Sequence, residues 1–402
     1  MKKVLLLTAV ASVAFASCVK DEASNLEKQV NQKITFDSPV LYGNVNSRAN
    51  VHGEVGTHTY GGINYSYPRE ENFMIYAVSH TGDFAGWNSA TVAAFNNTSI
   101  SYDDQVDGWA PKTAGGGYYY WENGKKMTFA ASAPADLEQT NWGSEDKRSY
   151  GATGLIITDF EVPANASNQY DLLFSTRSCN NTSANMDHSA SYYSGIPVAF
   201  QHALSSIRFS IRNTSPETVV LTGITLKGVK YKGTFNENIT ENAADYTRYD
   251  RTPSTGNVNP AWTVADAKIA SPYIAFEGAV QFKENANYVS QLVAEAVEGG
   301  ITTNVCNQLL LMPQELTDDV TLEVNYTVNG NANTKEVKLK GLESIKNEGR
   351  ADELKTAINT WEMGKRYTYR LYYSSSTADK DKIYFAPSTD DWQDVDIIVV
   401  PL

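Results

Sequence analysis

The chain has 402 residues, enough for two cores of roughly 150 to 200 residues each, since a single core stops growing at about 250 to 300 residues. Aromatic residues are plentiful, with 24 Tyr and 7 Trp, while only 20% of residues are charged, a balance suited to twisted sheets with tyrosine-rich faces. A formal net charge of −13 argues against nucleic acid and anionic lipid surfaces as partners.

Met1-Lys2-Lys3 supplies a positive start, Val4 to Phe15 an apolar run and Ala16-Ser17 small residues, the pattern of a secretory signal over 1–17. The apolar run is too short to stay in a bilayer as a spanning helix. Phe15-Ala16-Ser17-Cys18 resembles a bacterial lipobox in a looser form, with Phe15 in place of the usual Leu. Cys18 would then carry diacylglycerol as the mature N-terminus, and the membrane would be reached only through that lipid. The competing reading is ordinary signal cleavage with Cys18 as a bystander. Val19-Lys20-Asp21-Glu22 resembles the surface-export tag of Bacteroidetes lipoproteins, which places the chain outside the cell.

Residues 18–48 read as a propeptide holding a first strand. Lys33-Ile34-Thr35-Phe36-Asp37 alternates polar and apolar, the period of a half-buried strand. The stretch Asn44 to Asn50 is polar, and loops of this kind are where proteases cut. Arg48 is the candidate cut site for an arginine-specific protease, with Ala49 as the new N-terminus; most exposed arginines are only solvated surface.

Strands are expected at Asn72 to Val78, then at Tyr118 to Trp121 and Lys126 to Ala131, the last two joined as a hairpin by Asn123-Gly124. More follow at Leu155 to Val162, Asp171 to Ser175, Val198 to Leu204 and Ser206 to Arg212. Asn213 to Glu217 reads as a polar linker, dividing the chain into units at 49–212 and 213–402. The second unit restarts with Val219 to Leu226 and Val229 to Phe235, and residues 236–272 read as a long loop. Further strands are expected at Asn287 to Val293, Gln308 to Met312, Val320 to Val328, Lys335 to Lys340, Arg366 to Tyr373, Lys382 to Ala386 and Val395 to Val400. Glu348 to Thr360 is the one expected helical stretch. Strands so spaced, with few helices, predict an all-β chain of sandwiches.

Recognisable catalytic chemistry is missing from the pattern. His52, His58, His80, His188 and His202 are scattered singly, without metal-ligand spacing, and His202 alternates with core residues as a structural histidine does. Asp103, Gln105, Asp107 and Gly108 begin like a calcium loop, but Ala114 stands where the bidentate Glu belongs, so a solvated loop is expected. Gly115-Gly116-Gly117 precedes a strand and so offers no helix terminus to a phosphate. Cys179 and Cys306 read as small buried hydrophobes, with pairing as the alternative. No metal, cofactor or catalytic residue is expected.

In order along the chain, these features resemble the fimbrillin family of Bacteroidetes, the type V pilins. Carrying the likeness are Cys18, Lys33-Ile34-Thr35-Phe36, Ser47-Arg48-Ala49, Phe73 to Ala77, Tyr120-Trp121, Met127 to Pro134, Asp171 to Phe174, Phe200 to Ser205, Leu311 to Gln314, Gly364 to Tyr369, and Ile383 to Phe385 before Asp391-Trp392. The resemblance implies two transthyretin-like Greek-key β-sandwiches in tandem. It also implies export as an outer membrane lipoprotein precursor, cleavage after an arginine, and polymerisation with other pilin subunits into an adhesive fimbrium. Cleavage would release a first strand bearing Ile34 and Phe36, and a terminal strand of a neighbour would fill its place. Mapped here, the donor is the C-terminal strand, with Val395, Ile397 and Val399 on one face. Lys382-Ile383-Tyr384-Phe385 repeats the Lys-Ile-x-Phe order of Lys33 to Phe36, as a substitute strand should.

Two other readings stay open at this stage. One is a surface lipoprotein that binds glycans on an aromatic platform such as Trp87, Trp109 and Tyr118 to Trp121; the other is a lipid-tethered pilus anchor. An enzyme on a β-sandwich is the weakest.

Overall fold

The computed structural model describes residues 33–36, 39–41, 59–60, 63–64, 69, 71–80, 93–106, 108–120, 126–135, 137, 147–151, 153–175, 181–182, 196, 198–238, 260–282, 308–346, 354–374 and 382–390, with single omissions at 152. Among them every regular element is a strand except the 3-10 turn Ala166–Asn168. The cause is visible in the period: Val219–Lys227 buries Val219, Leu221, Ile224 and Leu226, and its one break in alternation coincides with a register slip at Leu221/Gly223 against Thr321–Val328. That slip is a bulge, which re-aims the following side chains toward the core.

The largest sheet runs in the order Val40–Leu41, Ala199–His202, Leu173–Ser175, Lys126–Ala133, Phe73–His80, Ala93–Asp103, Gly108–Pro111. Three four-stranded sheets follow. One orders Ala261–Val264, Lys232–Asn236, Gly154–Glu161 and Arg148–Gly151; another orders Leu309–Leu311, Ser205–Asn213, Arg366–Ser374 and Lys382–Asp390. The last orders Tyr273–Phe282, Val219–Lys227, Thr321–Val328 and Asn331–Lys338. Most ladders are antiparallel, but Ser205–Asn213 and Arg366–Ser374 run parallel.

Two apolar clusters form the interior. The smaller lies on one face of the largest sheet and holds Ile34, Phe36, Phe73, Ile75, Phe95, Ile100, Trp109, Phe129, Leu173 and Phe200. The opposite face packs on the Arg148–Val264 sheet: Phe174 meets Phe235 with centroids 5.0 Å apart, and Tyr76 stacks on Tyr150 at 4.7 Å. Leu173 and Phe174, adjacent in one strand, therefore serve the two clusters, as period-2 side chains must.

Several local expectations yield to tertiary pairing. Glu348 to Thr360 is not helical where described: Leu354–Ile358 pairs antiparallel with Leu342–Lys346, and Thr360–Trp361 with Gln314–Glu315. Burial of Ile358 and Trp361 in the larger cluster outweighs a weak helix preference. Among the described residues, Tyr118 to Tyr120 does not pair with Lys126 to Ala131, and Trp121 and Asn123-Gly124 lie outside them. Tyr118 and Tyr120 bridge Lys112 and Lys33, and Lys126–Ala133 pairs with Phe73–His80 on one side and with Leu173–Ser175 and Asn181–Thr182 on the other.

The polar stretch at 213–217 is pinned through the buried Asn213 and Ser215. Asn213 Nδ2 donates to the carbonyls of Glu217 and Phe282, both at 3.0 Å, and its Oδ1 accepts from the Ser215 amide at 2.9 Å. Two sheets bridge the two sides of position 212: Gly154–Glu161 pairs with Lys232–Asn236, and Ser205–Asn213 with Leu309–Leu311 and Arg366–Ser374. Strands that composition hid are Ala93–Asp103, Ala261–Val264, Tyr273–Phe282 and Leu342–Lys346. In the first, Asn97 takes φ +45° beside a register slip at Ile75/Ala77, which disguises the alternation. The expected strands at Asn287 to Val293 and Val395 to Val400 lie outside the described residues, as do Cys179 and Cys306.

Candidate functional site

The segment from Lys33 to Leu41 fills the space between the two ends of the largest sheet. On one side Phe36 and Trp109 exchange both backbone bonds, the Phe36 amide donating at 2.7 Å and the Trp109 amide at 3.1 Å, and the Ile34 amide donates to the Tyr119 carbonyl at 2.9 Å. On the other side the Ile196 amide donates to the Thr35 carbonyl at 2.8 Å, and Val40–Leu41 runs parallel to Ala199–Phe200. The segment thus joins Gly108–Pro111 to the strand after Ile196 and closes the sheet around its smaller cluster.

Its inward side chains are the two expected from the alternation. Ile34 and Phe36 are 2% and 0% exposed. Phe36 lies edge-on to Phe73 at 5.8 Å and to Phe129 at 5.4 Å, the preferred arrangement of aromatic quadrupoles.

The outer wall of the slot is built by a turn. Gly116 takes φ +77°, its amide donates to the Thr113 carbonyl at 2.8 Å, and the Thr113 amide donates to the Gly117 carbonyl at 2.9 Å. Glycine is suited to that left-handed position. The turn folds Tyr118 back beside Lys112 and sets Tyr119 and Tyr120, both exposed, along Lys33 and Ile34. The triple glycine therefore shapes a wall.

The calcium-like run ends in the same wall. Asp103 Oδ1 accepts from the Gln105 amide at 2.9 Å, while Oδ2 accepts from the Tyr118 hydroxyl at 2.5 Å and from Lys112 Nζ. The Lys112 bond, then those of Tyr118 and Gln105, hold the Asp103 carboxyl down at about 2. Lys112 Nζ and Lys33 Nζ lie 3.6 and 3.7 Å from the centroid of the Tyr118 ring. Asp103 is committed to protein cations and donors.

Of the residues singled out from sequence, Ile34 and Phe36 sit in the slot. Cys18, Arg48, Ala49, Val395, Ile397 and Val399 lie outside the described residues, as do Trp87 and Trp121. Trp109 is a buried wall of the slot, not an exposed platform. His202 is buried with Nδ1 2.9 Å from Asp171 Oδ1, a structural pair. Sequence reading missed the wall formed by Asp103, Lys112, Tyr118 and Ile196: the first three meet across a turn that leaves no period, and Ile196 meets Thr35 over a long separation.

Withdrawing the segment would unpair the amides of Trp109 and Ile196 and the carbonyls of Trp109 and Tyr119. Buried groups left so cost about 1 to 3 kcal/mol each. It would also uncover the places of Ile34 and Phe36, each worth roughly 1.5 to 3 kcal/mol of burial. An empty slot of this kind strongly favours another strand. Elsewhere, Lys382–Asp390 pairs along its whole length with Arg366–Ser374 and forms the end of its sheet.

A family model described as fimbrillin-like matches residues 68–392. No curated protein matches the chain. Among solved structures, the chain is similar to a fimbrial protein from Bacteroides vulgatus, at 16% identity and a TM-score of 0.52, covering 90% of this chain and 100% of that one. It is also similar to a candidate cell adhesion protein from Bacteroides uniformis, at 11% identity and a TM-score of 0.43, with 90% and 98% covered. The tip fimbrial protein Mfa3 from Porphyromonas gingivalis aligns at 12% identity and a TM-score of 0.32, over 81% of this chain and 95% of that one. The likeness to the first shows a shared fold.

Proposed function

The chain belongs to the fimbrillin-like family, and on that premise we propose that it is a non-enzymatic structural subunit of an adhesive surface fimbrium, assembled with other subunits by strand replacement. The observation that carries this reading is the slot: Ile34 and Phe36 complete a core whose walls expose unpaired backbone as soon as the segment leaves. In this reading Cys18 carries the lipid of an outer membrane precursor and an arginine-specific protease cuts after Arg48. Residues 33–42 depart with the lipid, and a strand from the C-terminal region of another copy takes their place, with Val395, Ile397 and Val399 as its expected inward face. The units are two transthyretin-like sandwiches. A head-to-tail contact of this kind does not close on itself, so it builds a filament.

The test is limited digestion of residues 19–402 with an arginine-specific protease, followed by N-terminal sequencing and electron microscopy. The expected result is one cut giving Ala49 as the new N-terminus, with SDS-resistant ladders that vanish on deleting residues 395–402. A cut product that stays monomeric would overturn the polymerising role and leave a lipid-tethered anchor or a glycan-binding lipoprotein.

A further inference from the structure

We infer that Tyr118, backed by Asp103 and Lys112, is a cation-reading rim that decides which strand enters the slot, and that the strand it admits is Lys382–Phe385 of a second copy of this chain. The inference rests on the strand-replacement reading above but departs from it in the partner segment, putting Lys382–Phe385 where that reading puts Val395, Ile397 and Val399.

Lys33 precedes the two knobs of the resident strand and holds its ammonium 3.7 Å from the Tyr118 ring centroid. The Tyr118 hydroxyl gives its hydrogen bond to the Asp103 carboxylate, which pushes electron density into the ring and strengthens its negative face. Lys112 brings a like charge to the same ring, but it is paired with Asp103, so the two together are neutral and the ring accepts one further cation. A neutral or acidic residue at the position of Lys33 forfeits that contact.

Two stretches of the C-terminal region compete on these terms. Lys382-Ile383-Tyr384-Phe385 offers a cation, Ile and Phe in the order of Lys33, Ile34 and Phe36. A register that sets Val395 and Ile397 on the places of Ile34 and Phe36 brings Asp394 to the place of Lys33. Charge complementarity at the rim favours the first. The backbone of Lys382–Asp390 also lies at the end of its sheet, its ladder made with Arg366–Ser374 and Leu342–Lys346 lying beside it. Entry of this strand into the slot of a second copy exchanges that ladder for the backbone pairing the resident segment leaves.

The experiment uses the full chain cut after Arg48, with release of the N-terminal segment followed by mass spectrometry. Fluorescent peptides are then titrated by anisotropy: residues 380–390, the same peptide with Lys382 replaced by norleucine, and residues 393–402. The 380–390 peptide should bind about twofold to thirtyfold more tightly than its norleucine version, the span of a partly desolvated cation–π contact. Tyr118→Leu should abolish that ratio while still binding the norleucine peptide, which reports an intact slot. Equal binding of the lysine and norleucine peptides would overturn the rim, and tighter binding of 393–402 would overturn the choice of segment. Release of the segment with no peptide bound would sink strand replacement itself.

Discussion

The ring of Phe36 stands edge-on to that of Phe129 at 5.4 Å, at the centre of the smaller cluster. Phe129 belongs to a central strand of the largest sheet, whereas Phe36 belongs to a short segment held by Trp109, Tyr119 and Ile196. The core thus takes a key side chain from a short segment whose backbone partners lie on both sides of it.

Phe36→Ala should lower the stability of the uncut chain by about 3 to 5 kcal/mol, the usual loss for a buried aromatic that leaves a cavity. Thr35→Ala, between the two knobs, should cost well below that. Urea titration followed by tryptophan fluorescence reads both, with Trp109 beside the slot as the reporter.

Two glycines separate conformational strain from steric exclusion. Asn329 and Gly330 take φ +51° and +84° in the turn joining Thr321–Val328 to Asn331–Lys338, and a Cβ on Gly330 meets open space. Gly330→Ala should cost about 1 kcal/mol. Gly228 takes φ +72°, and a Cβ there would lie 2.1 Å from the Asp319 carbonyl oxygen. Gly228→Ala should therefore exceed the roughly 1 to 3 kcal/mol of strain alone, seen as a larger fall in melting temperature.

The buried Trp361 Nε1 donates to the Tyr369 hydroxyl at 2.9 Å. Tyr369→Phe should destabilise by about 1 to 3 kcal/mol, because the indole N–H is left without its acceptor. Adding Trp361→Phe should cost less than the two single changes summed, since residues in one bond do not act independently. A double-mutant cycle in denaturant measures the difference.

Glu237 gives a pH dependence with a defined sign. It is fully buried, its Oε2 accepts from the Leu155 amide at 2.8 Å, and burial pushes its carboxyl up to about 8 from 4.5. The folded chain therefore keeps a proton that the unfolded chain releases above 4.5, so this group lowers stability as pH rises from 4.5 to about 8. Glu237→Gln should remove that dependence. The gap in unfolding free energy between variant and parent, read by denaturant titration, should widen between pH 5 and 8, at up to about 1.4 kcal/mol per pH unit, and flatten above.

Strand identity was most legible where one face is buried and the other is not. Thr321–Val328 alternates cleanly, Val219–Lys227 does so on either side of its bulge, and the short run Lys33 to Phe36 has an inward pair readable from period alone. Ala93–Asp103 was hidden by its asparagines and by the irregularity at Asn97. The pairing of Tyr118 to Tyr120 with Lys126–Ala133 expected from Asn123-Gly124 is not seen among the described residues, where Lys126–Ala133 takes long-range partners.

The sequence by itself determined the all-β class, the fimbrillin-like character and the two knobs Ile34 and Phe36, because side-chain period and residue order are local properties. Only the tertiary structure decided what those knobs enter and what guards the entrance. Trp109, Tyr119 and Ile196 supply the slot's backbone partners, and Asp103, Lys112 and Tyr118 its charged rim. The rim groups come from one stretch of the chain, but their position over Lys33, like the slot's backbone pairs, is fixed by how the sheet closes rather than by any pattern along the chain.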